Sequence, residues 1–207
     1  MSRHLFNVSA FPFVLALVIS CAAAPAAFAQ GLADDGFDPA AIEEMTASNR
    51  QVPLTKDMVD RLVASFPDMR KRGGEFPGTE LPEKQYAPGS DKSELDAMPA
   101  EKRAALEAVA TKHGFKDLEE WTDVANSVVM SYVYAAQNKK PGSVEEAVRM
   151  NVAQAEQDPN LTPEQRTQTV ALYRKIGKTL QRLEPSKENY AIVVEMKDKV
   201  APIMDPN

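Results

Sequence analysis

Cysteine and histidine are almost missing from this chain. Among 207 residues there are one cysteine and two histidines. The cysteine, Cys21, and one histidine, His4, both lie in the first 29 residues, and those residues have the form of an export signal. Arg3 gives a positive n-region, residues 5–19 are almost wholly apolar, and Ala27-Phe28-Ala29 is a small-x-small cleavage site, so Gln30 is the expected first mature residue. Cleavage there leaves a chain without disulfide, thiolate nucleophile or Cys-based metal site. With His113 as the sole remaining histidine, a two-His metal site and a Cys/His pair are excluded as well. An exported domain of this kind must be held together by its core.

Positive charge is also in short supply. Lys and Arg number 24 against 30 Asp and Glu, a net charge of −6, and the leader contributes one basic residue and no acid. Nucleic acid is therefore not an expected partner, because binding it needs a basic surface that displaces counterions. The one local basic run is Arg70-Lys71-Arg72. It suits a helix C-terminus ahead of Gly73-Gly74, and its functional reading is contact with a small anion or a lipid headgroup.

Long apolar runs are confined to the leader. Phe11 to Ala29 is about long enough to span a bilayer, so an uncleaved anchor stays open. Val18-Ile19-Ser20-Cys21 resembles a bacterial lipobox, which would make Cys21 a lipidated N-terminus and tether the protein to a membrane by acyl chains. The expected location is thus periplasmic or secreted, with a membrane-tethered lipoprotein as the alternative.

Strand alternation is absent from the rest, and helix start signals recur. The expected fold is all-α: a small antiparallel helical bundle with an N-terminal helical arm and a Pro/Gly-rich linker. Residues 1–29 form the signal peptide, 30–75 the leader and arm, 76–93 the linker and 94–207 the C-terminal bundle. Asp38-Pro39 opens a short helix to about Asn49. Thr55 caps a stronger one carrying Met58, Val59, Leu62, Val63 and Phe66, which Pro67 bends or restarts and Gly73-Gly74 ends. Pro77, Gly78, Pro82, Pro88 and Gly89 mark the linker.

Five segments follow. The first runs from about Pro99 to His113, with Gly114 as its left-handed stop. The second, from Leu118 to about Gln137 with Asp117 as cap, is apolar on most sides and is the expected central helix. Ser143 and Glu146 have capping-box spacing ahead of a third helix, to Gln157. Thr162 caps a fourth from Pro163 to Leu183, with Gln165 reaching back, Leu161 as a staple and Gly177 allowing a close helix approach. The fifth runs from about Lys187 to Val200, and Pro202 ends it. Short joints imply antiparallel neighbours.

No motif assigns a catalytic, cofactor or metal residue. His113 suits a helix C-cap, and a role as acid/base or metal contact would need partners that no recognisable spacing supplies. The pairs Asp34-Asp35, Glu43-Glu44, Glu119-Glu120 and Glu145-Glu146 diverge by about 100° on a helix and do not converge on one ion. Trp121, Tyr132, Tyr134, Tyr173 and Tyr190 suit core packing, or else an aromatic pocket for an apolar ligand. Tyr132 and Tyr134 cannot share a helix face.

Leu161-Thr162-Pro163-Glu164-Gln165 resembles the LTxxQ motif of Spy-type periplasmic chaperones. That resemblance implies a small, exported, all-helical, cradle-shaped dimer that holds unfolded clients. A second copy of the motif, usual in that family, would fall at Leu54-Thr55, where the Gln is missing. Across residues 54–200 the order Ser65-Phe66-Pro67, His113-Gly114-Phe115, Glu120-Trp121, Asp158-Pro159-Asn160-Leu161-Thr162 and Pro185 is also similar to a group of exported helical proteins of proteobacteria. The leading expectation is a non-enzymatic envelope protein that binds a partner protein or a small apolar ligand. A Spy-like holdase is the alternative, and an enzyme built on scattered carboxylates ranks third; that enzyme would carry a carboxyl with a strongly raised pKa in a cleft.

Overall fold

Hydrophobic burial and helix capping organise the described residues of this protein. The structure, a computed structural model, describes residues 50–74 and 92–204, the side chains of 92–94 excepted. The signal sequence with Ala29, Gln30 and Cys21, the helix expected at 38–49 and most of the 76–93 linker lie outside the described residues. The last two linker residues, Lys92 and Ser93, open a short helix.

Among the described residues there are eight helices and no strands: α1 (Lys56–Gly74), α2 (Lys92–Ala97), α3 (Ala100–Lys112), α4 (Leu118–Ala136), α5 (Ser143–Gln157), α6 (Pro163–Gln181), α7 (Lys187–Glu195) and α8 (Lys197–Met204). The all-α expectation holds. The helices fall into two compact units. The larger contains residues 50–74, 92–140 and 185–204, so its chain is discontinuous. The smaller is residues 141–184.

In the larger unit α4 packs against α1, α3, α7 and α8. Val124, Ala125 and Val128 on it are fully buried and join Val59, Leu62, Leu106, Ala110, Val193 and Val200 in one core. Its buried serine and threonine hydroxyls are answered locally. Thr122 Oγ1 donates to the Leu118 carbonyl at 2.9 Å, and Ser131 Oγ donates to that of Ser127 at 2.8 Å. Such back-bonding lets Ser and Thr sit inside a helix without an orphaned donor. The helix begins as its sequence predicts, with the Asp117 side chain accepting from the Glu120 amide at 2.7 Å.

The extended residues 50–55 are tied to this unit by side chains from distant sequence. Asn189 accepts from the Leu54 amide at 2.8 Å and donates to the Val52 carbonyl at 2.9 Å. Ser127 Oγ accepts from the Val52 amide at 2.8 Å. One buried amide side chain thus takes the place of a neighbouring strand and satisfies backbone groups that folding withdraws from water.

Three local expectations need correction. α1 runs through Pro67 without a restart; the residue is exposed, and its missing amide removes one ladder hydrogen bond. The segment expected as one helix from Lys187 to Val200 is two, divided at Met196, and Pro202 lies inside α8 instead of ending a helix before it. At the start of α5 the N-cap is Gly142 in the left-handed region (φ 96°) with no side-chain cap, so the Ser143/Glu146 box does not form. The Glu184 carboxylate takes its place, accepting from the Gly142 amide at 3.0 Å and the Val144 amide at 2.9 Å.

The smaller unit is the α5–α6 pair, with Ala155, Leu161, Val170 and Tyr173 as a cluster between its helices. A Cβ placed on Gly177 would lie 2.4 Å from Val148 Cγ2, so this glycine sets how closely the two helices approach. The capping box at α6 forms as expected: Thr162 Oγ1 accepts from the Gln165 amide at 3.2 Å, and Gln165 Oε1 accepts from the Thr162 amide at 2.9 Å.

Candidate functional site

The lone histidine has a partner that its sequence surroundings do not announce. His113 ends α3 as its C-cap residue, with the chain turning at Gly114 (φ 84°). Two helical lengths earlier in the chain, Asp68 lies on α1. Packing of α1 against α3 brings His113 Nε2 to 3.0 Å from Asp68 Oδ2. Lys112 Nζ donates to the same oxygen at 2.7 Å. An ionised carboxylate can only accept, so the contact places a proton on Nε2.

The electrostatics follow from that geometry. The hydrogen bond from Lys112, then that from His113, then the Lys112 charge favour the ionised carboxylate and hold the Asp68 pKa down to about 2 from 3.8. The Asp68 side chain is 40% exposed and that of His113 18%. The group is therefore a surface ion pair with a half-buried imidazole at one end.

Beside it is a half-open cleft of about 390 Å³ between α1 and α3. Ala105, Ala108 and Val109 give it an apolar, short-chained wall. Asp68, Lys71, Arg72 and Lys112 give it charge. Two residues of the basic run thus line the same space as the cluster around the histidine. The sequence indicated His113 and the basic run separately. It missed Asp68, because the pairing spans 45 residues and only tertiary packing creates it.

The other expected positions are spent on structure. Trp121 stacks on Phe66 with centroids 6.4 Å apart and donates from Nε1 to Ser65 Oγ at 2.7 Å. Tyr134 and Tyr173 are buried, whereas Tyr132 and Tyr190 are half-buried; Tyr132 and Tyr134 divide between surroundings as their helical spacing requires. Glu120 accepts from the Lys116 amide at 2.6 Å at the start of α4, and Glu145 and Glu146 sit in the first turn of α5, where carboxylates favour the helix dipole. Asp34-Asp35 and Glu43-Glu44 lie outside the described residues. The Thr162 and Gln165 side chains of the LTxxQ-like segment are engaged in the α6 cap.

Among the described residues no group of three or more His, Cys, Asp or Glu side chains could hold a metal ion, and no helix is long and apolar enough to cross a membrane. Comparison with protein-family models, with curated proteins and with solved structures found no match.

Proposed function

We propose that this chain is an exported, non-enzymatic binding protein of the bacterial envelope, acting on a protein partner or a small ligand. The leader sequence supplies the address. The observation that supports binding over catalysis is the state of the Asp68 carboxylate. General acid–base work near neutral pH needs a group whose pKa lies near the working pH. Asp68, the carboxylate that lines the cleft, is held at about 2 by Lys112 and His113. Asp117, the other described carboxylate with a displaced pKa, is also lowered, chiefly by its hydrogen bond with the Glu120 backbone at the α4 cap. Both shifts run opposite to the raised carboxyl that an enzyme of this composition would use.

A holdase reading draws less support. Holding unfolded clients calls for a broad exposed apolar surface. Among the described residues the exposed large hydrophobics are Met150, at 63%, and Val194, at 42%. They belong to different units.

The test is native mass spectrometry of the protein released from its own envelope, paired with cross-linking there. A co-purifying adduct or a reproducible cross-linked partner is the expected result. A bare mass with no cross-linked partner would overturn the binding reading, and turnover that disappears in His113→Ala without unfolding would replace it with an enzyme.

A further inference from the structure

Helix α6 buries more of its surface than α5 can cover. Gly177 marks the side that faces α5, because Val148 stands against it. Val170 and Tyr173 lie within about 40° of Gly177 around the helix, and both belong to the α5–α6 cluster. Leu172, Ile176 and Thr179 lie about 100–160° from Gly177. Their spacing of four and three residues makes one continuous stripe. On a helix packed against α5 alone this stripe would face water. Yet Ile176 is 3% exposed and Thr179 8%, and Leu172 is half-buried. Among the described helices, α5 is the one packed extensively on α6. The stripe therefore has a second cover, from outside α5.

The segment after the expected cleavage site has the composition to supply that cover. Residues 30–47, which lie outside the described residues, carry Asp34, Asp35, Asp38, Glu43 and Glu44 and neither Lys nor Arg. Helix α6 carries Arg166, Arg174, Lys175 and Lys178 against Glu164, a local reversal of sign in a chain of net charge −6. Lys175 is exposed and lies about 40° beyond Thr179, at the outer edge of the stripe. Phe37 and Ile42 have the spacing of a hydrophobic staple around the expected Asp38-Pro39 helix start, and Met45 follows Ile42 at i+3. The segment thus pairs with α6 in charge and in apolar pattern. Being part of the same chain, it meets α6 at an effective concentration on the order of millimolar, so weak contacts suffice.

We propose that residues 30–47 dock on the Leu172–Ile176–Thr179 stripe of α6. Phe37, Ile42 and Met45 lie against the apolar side chains, and the carboxylates turn toward Lys175 and Lys178. The mature N-terminus is then a third element of the smaller unit, and the face it covers is closed to partners while it is docked. The charged share of the contact should weaken as salt screens it, and the apolar share should persist.

In the test, the protein is expressed with its leader and purified from the envelope. Its mass states where the chain begins, the one point for which the docking rests on the export reading. Hydrogen exchange is then compared between the wild type and Ile42→Asp/Met45→Asp. Residues 166–180 should exchange on the order of tenfold faster in this variant, the effect of losing roughly one buried apolar side chain. Helix α4 should keep its protection, and Ile42→Val/Met45→Leu should match the wild type. Carbodiimide, which joins a carboxylate directly to an amine, should link residues 30–47 to Lys175 or Lys178. A mixture of isotope-labelled and unlabelled protein should place that link within one chain. Local acceleration, or the link within one chain, supports the docking. Unchanged exchange with no such link would overturn it. A link between two chains would also overturn it, by making the occupant a second copy. If α4 loses protection as well, the change is global and the link alone decides. A mass that retains residues 1–29 would count against the export reading, and exchange and link would still decide the docking.

Discussion

Replacing Asn189 by Ala should destabilise the larger unit by about 2–4 kcal/mol. The figure comes from two backbone groups. The Leu54 amide is buried and would lose its acceptor at 2.8 Å; a buried donor left unsatisfied costs about 1–3 kcal/mol. The Val52 carbonyl is half-buried and would lose its donor at 2.9 Å, a loss nearer the ordinary net value of about 0.5–1.5 kcal/mol. The α7 cap is untouched, since it joins the backbone amide of residue 189 to Ser186 Oγ at 3.0 Å. Asn189→Asp separates shape from chemistry. It keeps the size and an acceptor for Leu54 but turns an oxygen toward the Val52 carbonyl, so at neutral pH it should cost at least as much as Ala. Urea unfolding measures the loss, and hydrogen exchange at the Leu54 amide locates it. A loss below about 0.5 kcal/mol for both variants, with Leu54 protection unchanged, would show that Asn189 does not hold this segment, and the reasoning would fail.

Three further outcomes are expected. Gly177→Ala gains about 1 kcal/mol of helix propensity but puts a methyl 2.4 Å from Val148 Cγ2; overpacking of about 1–3 kcal/mol against a stiff β-branched side chain wins, and adding Val148→Ala should recover most of the loss in a thermal melt. Glu184→Ala should weaken the smaller unit by about 1–2 kcal/mol, because the Gly142 and Val144 amides lose a charged acceptor at the start of α5; an unchanged urea midpoint would refute that cap. Asp68 has a depressed folded pKa, so its pairing stabilises the protein above about pH 4 and is lost as pH falls through about 2. Carbon-detected NMR titration should find the Asp68 carboxyl low in the wild type and moving back toward 3.8 in Lys112→Gln or His113→Gln.

Local signals carried well into the structure. Asp117 and the Thr162/Gln165 box start their helices where their side chains can answer the first free amides, and His113-Gly114 ends α3 with a left-handed turn. The apolar coverage of Leu118–Ala136 marked the helix that packs against most others in its unit, and Gly177 marked a close crossing. Two illegible features share one cause: the deciding atom is far away in sequence. Ser143 looked like a cap because Glu184, 42 residues from Gly142, could not be seen beside it. Asp68 was one acid beside a basic run until α3 brought His113 to it. Met196 divides α7 from α8 with neither glycine nor proline at the break. Pro67 looked like a bend or restart and Pro202 like a helix end because proline removes a donor, but a helix continues where packing on its other face outweighs one lost bond.

The Asn189 clasp also sets a timetable. Leu54 waits for a partner 135 residues downstream, and α7 and α8, which complete the larger core, follow the other described helices in the sequence. The α5–α6 contacts join residues close in sequence, so they can form as soon as this pair is synthesised. The larger unit cannot close until residues beyond 184 have been made. The main core therefore stays open until Asn189 and the helices around it are available, while the α5–α6 pair has no such wait for Asn189.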